Sequence, residues 1–444
     1  MSLLKQGKAL KGELRLPSDR LQGQYACALA LLAQGVSHLR GWDPSPEWDV
    51  ILAFLERNGA AADAGKRELS IAALPGLRER TDWSLDPELP VPFAGAFLAM
   101  LSGLSTAARP VRVVLPPALR DRLAPTLDAL RQGGYEAQDE SDSESRIAFH
   151  GHRPLRKAPS ALGIRRTVWT FAALASGESF EFEELGPAQD PLENVLPFFD
   201  LQILTARAQE EVEVDPEMAR RLKKLQKRPS GRTLRVPATT HIPAVEAFLN
   251  GDVALAAWAA VGACLRRGSD LTLRDVALPA CRASVFTCLR KMGADLEFVK
   301  KSEAHGVSSG DLRVKASQLL GRKFDASDMA GLAEAAPFLA VAATHADKET
   351  VLGGLATLRE GPVDLVDALA SNLRALGLAV GVFPEGLVLR GEDSLMAERL
   401  DAQEHEGLAL ALHALASALP GSTLLENADC LDRFCPNLSE LEPA

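Results

Sequence analysis

Arg165 and Arg166 stand side by side at the head of a long apolar run, Glu334 opens another, and His405 sits between Glu404 and Glu406 at the head of a third. Helix amino termini carry partial positive charge and unpaired N–H groups, so basic side chains added there suit a phosphate or carboxylate ligand. A carboxylate such as Glu334 or an imidazole such as His405 supplies the proton transfers that chemistry on such a ligand requires. Each residue also has a plainer reading. Arg165 and Arg166 are then solvated side chains, Glu334 a favourable charge in a helix's first turn, and His405 a surface histidine between two carboxylates. Asp252, directly after Gly251, reads as a helix N-cap, and Asp364 as a residue held for packing or capping. There is no GxGxxG after a strand, no Walker loop, no CxxC and no His/Cys cluster, so neither a cofactor nor a metal site is expected.

The elements that must position these residues repeat. Six Ala- and Leu-rich stretches, Gln22 to Gln34, Phe93 to Ser105, Arg165 to Ser176, Val253 to Arg267, Leu332 to Ala346 and Glu406 to Leu419, start roughly 70 to 90 residues apart, too far for solenoid units. Their apolar residues cover nearly every helical face, which predicts buried helices. Between them recur amphipathic helices closing in glycine, at Val50 to Gly59, Leu127 to Gly134, Val285 to Gly293 and Ala368 to Gly377. Short extended runs follow, such as Leu69 to Ala72, Leu312 to Val314 and Leu387 to Leu389. The repeated order is strand, buried helix, strand, surface helix, strand.

A chain of 444 residues predicts two or three domains, and a net charge of −10 argues against nonspecific nucleic-acid binding. No stretch is long enough to span a membrane, and the first residues lack an apolar signal core, so a cytoplasmic location is expected. The six cysteines read as core thiols. A basic run from Glu217 to Arg235 reads as an exposed helix followed by a turn, with an anion-binding patch as the alternative, and Asp139 to Ser145 as a solvated loop.

Gly12 to Arg20, followed by a buried helix and Gly35 to Gly41, resembles the opening of the enolpyruvyl transferase family, closest to its EPSP synthase (3-phosphoshikimate 1-carboxyvinyltransferase) branch. Gly251 to Ala257 looks like that family's GDxSSAA helix start, Lys291 to Leu296 matches its MGAD turn, and Leu358-Arg359 corresponds to the start of its LRxKESDR segment. The resemblance covers essentially the whole chain. It implies an α/β (α+β) fold of two domains in a clamshell, an inside-out barrel with three βαβαββ modules and three buried helices in each domain. The domains would be residues 19–245, and residues 1–18 with 246–444. Helix amino termini would face the cleft between them, where the family joins phosphoenolpyruvate to shikimate 3-phosphate and releases phosphate.

The same resemblance implies that most of the chemistry has been stripped out. The family's P-G-D-K-S-x-x-x-R is here Pro17 to Tyr25, with Arg20 for the lysine, Leu21 for the hydroxyl and Tyr25 for the arginine. N-x-G-T-x-x-R falls on Leu89 to Gly95, and S-S-Q on Ile164-Arg165-Arg166. The aspartate of D-x-x-P becomes Glu334, K-E-S-D-R becomes Gly361 to Leu365, and D-H-R becomes Glu404-His405-Glu406. The RPM arginine falls near Asp121 and the late lysine near Asp432. The leading expectation is a catalytically degenerate homologue with a binding or scaffolding role. One alternative is an active, divergent carboxyvinyltransferase with Glu334 as base and Arg20, Arg165, Arg166, Arg359 and His405 as anion-binding candidates. The other is a cleft that takes a different anionic metabolite through Arg165 and Arg166. Expected partners are a small anion in the interdomain cleft or a protein whose identity the sequence does not give, with no nucleic acid and no membrane.

Overall fold

The structure, a computed structural model, describes residues 2–140, 146–152, 164–184, 191–206, 232–278, 284–304, 307–326, 328–329, 335–359, 363–392, 395–396, 398–436 and 438–441. The chain forms two compact units, Arg20–Leu249, and Met1–Asp19 with Asn250–Ala444. In Arg20–Leu249 the buried helices are α1 (Arg20–Leu32), α2 (Val91–Leu104) and α3 (Ile164–Ser176). In the other unit they are α4 (Val253–Leu265), α5 (Ala336–Ala343) and α6 (Glu406–Ala416). Alanine and leucine are strong helix formers, and a helix apolar on every side is stable only inside a core. Residues Ala26 to Ala30 of α1 are accordingly 0% exposed throughout. The run predicted over Leu332 to Ala346 yields a shorter helix, because α5 stops at Ala343, where the Thr344 hydroxyl donates back to the Val341 carbonyl at 2.7 Å.

In Arg20–Leu249, α2 and α3 approach so closely that a methyl group at Gly103 would run into the Ala172 carbonyl. Phe93 and Phe97 stack on α2, and Phe54 and Trp83 meet Phe97 edge-on at 5.2 and 5.3 Å. In the other unit the buried Trp258 of α4 donates its indole N–H to Nδ1 of buried His413 on α6 at 3.1 Å, which satisfies both groups without water.

Four four-stranded sheets share one plan, a parallel pair extended by an antiparallel hairpin. In the clearest, Asp82–Ser84 runs parallel to Val111–Val114, which pairs antiparallel with Arg146–His152 and that with Tyr135–Glu140. The order recurs in Glu246–Phe248, Val36–Arg40, Glu68–Ala72 and Ala62–Ala64. It recurs again in Lys11–Arg15, Asp270–Ala277, Val307–Lys315 and Leu296–Ala304. The fourth copy is Lys323–Phe324, Glu349–Leu352, Gly386–Arg390 and Val380–Phe383. The α/β repeat read from periodicity is therefore present, with one strand more in each of these four copies, while two further sheets have three strands among the described residues. The surface helices Pro46–Arg57, Ala124–Gln132, Ser284–Lys291 and Leu365–Ala375 each end near a glycine, Gly59, Gly134, Gly293 and Gly377, at φ of 84°, 88°, 93° and 88°. That left-handed conformation is where a Cβ is penalised.

Two local expectations are corrected. Arg232–Val236, the tail of the basic run, is a strand rather than a turn, paired with Phe180–Glu184; residues 207–231 lie outside the described residues. The strand Tyr135–Glu140 also extends into the segment read as a solvated loop, because its partner Arg146–His152 continues the ladder. No helix of the described residues is long and apolar enough to cross a membrane.

Candidate active site

Arg20 opens α1, and its Nη1 donates to Glu47 Oε1 at 3.1 Å, with each side chain 19% exposed. Glu47 lies in the first turn of the helix Pro46–Arg57, where the helix field favours a carboxylate. Its second oxygen accepts from Gln24 Nε2 at 2.8 Å, and Gln24 Oε1 in turn accepts the Phe93 backbone N–H at 3.3 Å, in the first turn of α2. Arg20 and Gln24 are four residues apart on one helix, so both side chains reach the same side. Gln24 is wholly buried, and burial leaves an amide little choice but to be paired at both ends.

Around this relay the expected motif positions have become core. Tyr25 is 8% exposed and packs on Phe171 with ring centroids 5.6 Å apart. Leu89, Phe93 and Ala94 are buried, and Pro90 and Pro92 have no N–H to offer a phosphate. Asp121 and Asp432 are exposed.

At the head of α3, Arg165 is partly buried and Arg166 is 1% exposed, paired with Glu193 of the short turn Pro191–Asn194. The solvated-side-chain reading does not hold for Arg166, since a guanidinium taken out of water requires a carboxylate partner. Glu334 lies outside the described residues.

In the second unit, Arg359 Nη1 donates to Asp364 Oδ2 at 2.7 Å and to Asp367 Oδ1 at 3.0 Å. Asp364 caps the helix Leu365–Ala375, its Oδ1 accepting the Val366 and Asp367 N–H groups at 3.0 Å each. Burial works against the charged form of Asp364, but the Asp367 N–H and the Arg359 guanidinium outweigh it and hold the carboxyl below its ordinary pKa. Burial likewise opposes the Arg359 charge, while Asp367 and Asp364 raise its pKa on balance.

His405 is the N-cap of α6, with Nδ1 accepting the Leu408 N–H at 3.3 Å. The nitrogen that accepts carries no proton in this arrangement. Gln403 and Glu404 before it adopt φ of 49° and 54°, which turns the Glu404 carboxylate onto the Asp429 and Cys430 N–H groups at 3.3 and 3.1 Å. Burial first, then Glu404 and Glu406, push the Cys430 thiol up to about 11, so it is protonated and unreactive at neutral pH. Asp252 caps α4, its Oδ1 accepting the Ala254 and Leu255 N–H groups at 2.8 and 3.0 Å.

The structure thus gives Arg20, Arg166 and Arg359 carboxylate partners from within their own units. Sequence reading missed those partners, Glu47, Glu193 and Asp367, and also Gln24. The available signal was Gln24 itself, which with Gln22 is a polar residue in the first turns of a mainly apolar helix.

The family model for EPSP synthase (3-phosphoshikimate 1-carboxyvinyltransferase) matches residues 4–441. The chain is 28% identical to a 3-phosphoshikimate 1-carboxyvinyltransferase of Synechococcus sp. (strain JA-3-3Ab), over 99% of this chain and 96% of that one. It is 27% identical to the enzyme of that name from Xanthomonas campestris pv. campestris (strain B100), over 96% and 92%. Among solved structures, EPSP synthase from Acinetobacter baumannii superposes with a TM-score of 0.79 at 19% identity, covering 99% of this chain and 96% of that one. The enolpyruvyl transferase NikO from Streptomyces tendae gives 0.67 at 17% identity, over 99% and 96%. These likenesses establish a shared fold.

Proposed function

The chain belongs to the EPSP synthase family, and from that premise we propose that it is a catalytically degenerate member with a binding or scaffolding role. The observation that carries this reading is the internal pairing of the basic residues at motif positions, Arg20 with Glu47, Arg166 with Glu193, and Arg359 with Asp364 and Asp367. A dissolved anion has to compete with carboxylates that are tethered in place and so present at high effective concentration. A hydrogen bond to a charged group contributes about 1.5 to 3 kcal/mol, so four replaced contacts remove roughly 6 to 12 kcal/mol of ligand binding. Micromolar binding corresponds to about 8 kcal/mol and millimolar binding to about 4, so a loss of that size takes a ligand of micromolar affinity to millimolar or weaker, which supports this reading.

A second reading, an active divergent carboxyvinyltransferase, is favoured by the near-complete coverage of relatives that carry that name. A different anionic metabolite held by Arg165 and Arg166 draws no support from the burial and pairing of Arg166. Release of inorganic phosphate from shikimate 3-phosphate and phosphoenolpyruvate at high protein concentration separates the first two. We expect none above background; release that requires both substrates would establish the active enzyme. Calorimetric titration with shikimate 3-phosphate, with and without phosphoenolpyruvate, then tests binding alone.

A further inference from the structure

We propose that Glu47 is a built-in occupant of an anion-binding position in the unit Arg20–Leu249, and that it closes this position to phosphate. Both of its oxygens are engaged, one by the Arg20 guanidinium and the other by the Gln24 amide, much as two oxygens of a bound carboxylate or phosphate would be. Gln24 passes the contact on to the start of α2 through the Phe93 N–H. Only one orientation of the amide gives Glu47 a donor and Phe93 an acceptor, so the relay is directional.

The start of α2 also offers an anion few N–H groups. A helix leaves its first four N–H groups without intrahelical partners. Here Pro90 and Pro92 lack theirs, and that of Phe93 is taken by Gln24. Glu47 is also held from behind. Trp48, 3% exposed, packs edge-on to Trp42 with centroids 6.1 Å apart, and its ring lies so close to α1 that a methyl group at Gly23 would sit 3.0 Å from Cζ2. That packing fixes the Pro46–Arg57 helix against α1 and so keeps the Glu47 backbone within reach of Arg20.

This inference deepens the degenerate reading and rests on it for the claim that no substrate occupies the position. The test uses the full chain and inorganic phosphate as the probe, followed by calorimetry and by phosphate-dependent thermal unfolding, since a ligand that binds only the folded state raises the melting temperature. Wild type should show no phosphate dependence. Glu47→Ala, which removes the side chain that fills the position, should bind phosphate at least tenfold more tightly than wild type, and Glu47→Ala with Arg20→Ala should lose that gain. Glu47→Asp, with its carboxylate withdrawn by one methylene, should show a smaller gain of the same kind and serves if the first variant folds poorly. No gain in a variant that is folded by circular dichroism overturns the proposal, and so does a gain that survives Arg20→Ala. Turnover by the wild-type chain would instead overturn the degenerate reading, and it is read in a separate assay.

Discussion

The amino termini of α4 and α2 solve the same problem by opposite means. The first turn of α4 is capped locally, by the Asp252 carboxylate that accepts the N–H groups of Ala254 and Leu255 two and three residues on. The first turn of α2 has proline at its N-cap, no side-chain cap of its own, and an amide from α1 that arrives from 69 positions earlier in the chain. A local cap stabilises one helix; a borrowed cap also joins two helices and, through Glu47, a third. The second arrangement has more to lose when a single atom group is removed.

Gln24→Ala is therefore the variant with the largest expected effect. It leaves the buried Phe93 N–H without its acceptor, which costs about 1 to 3 kcal/mol, and takes a charge-assisted bond of about 1.5 to 3 kcal/mol from the part-exposed Glu47 carboxylate, for a total of roughly 2.5 to 6 kcal/mol. Urea unfolding monitored by circular dichroism measures it. A double-mutant cycle with Glu47→Ala should show coupling of about 0.5 kcal/mol or more, since the two share a bond; strict additivity would break the relay into unrelated contacts. Asp252→Ala comes next, at about 1 to 2 kcal/mol for the loss of an N-cap. If Asp252→Ala cost more than Gln24→Ala, the distinction between local and borrowed caps would carry no energetic weight.

The same contrast explains what could be read in advance. The six buried helices, the closing glycines and the caps at Asp252 and Asp364 are written in neighbouring residues, where propensity, period and φ preference act within a turn or two. The α/β repeat followed from that local grammar, apart from the extra strand, whose short segments carry too few residues for a period to register. The site was legible only in what it lacked. Arg20 and Glu47 are 27 positions apart, as are Arg166 and Glu193, and no local rule pairs them. Arg20 and Arg166 at helix starts therefore looked like anion ligands, although the fold pairs each with a carboxylate from elsewhere in its unit, while Arg359, closing the short turn Ala356–Arg359, pairs with Asp364 and Asp367 just beyond it. Gln24 was visible as a polar interruption, but its meaning depended on the position of α2.

Asp364 separates charge from capping at the helix start where both act together, and it carries the smallest effect. Asparagine is as good an N-cap as aspartate, so Asp364→Asn keeps the bonds to Val366 and Asp367 and removes the ion pair with Arg359. With the pair partly exposed to water, the loss should be about 0.2 to 1 kcal/mol at neutral pH and should shrink in high salt. Its pH dependence has a definite sign. The carboxyl has a folded pKa below its ordinary value of 3.8, so the folded state binds fewer protons than the unfolded state between the two values. The stabilisation is then fully present above 3.8 and lost as pH falls through the folded pKa. Denaturation curves of wild type and Asp364→Asn should differ at pH 7 and converge in acid. A gap that stayed constant into acid would mean that the aspartate acts through shape alone, and that this helix start resembles the neutral, amide-capped end of α2 more closely than its ion pair suggests.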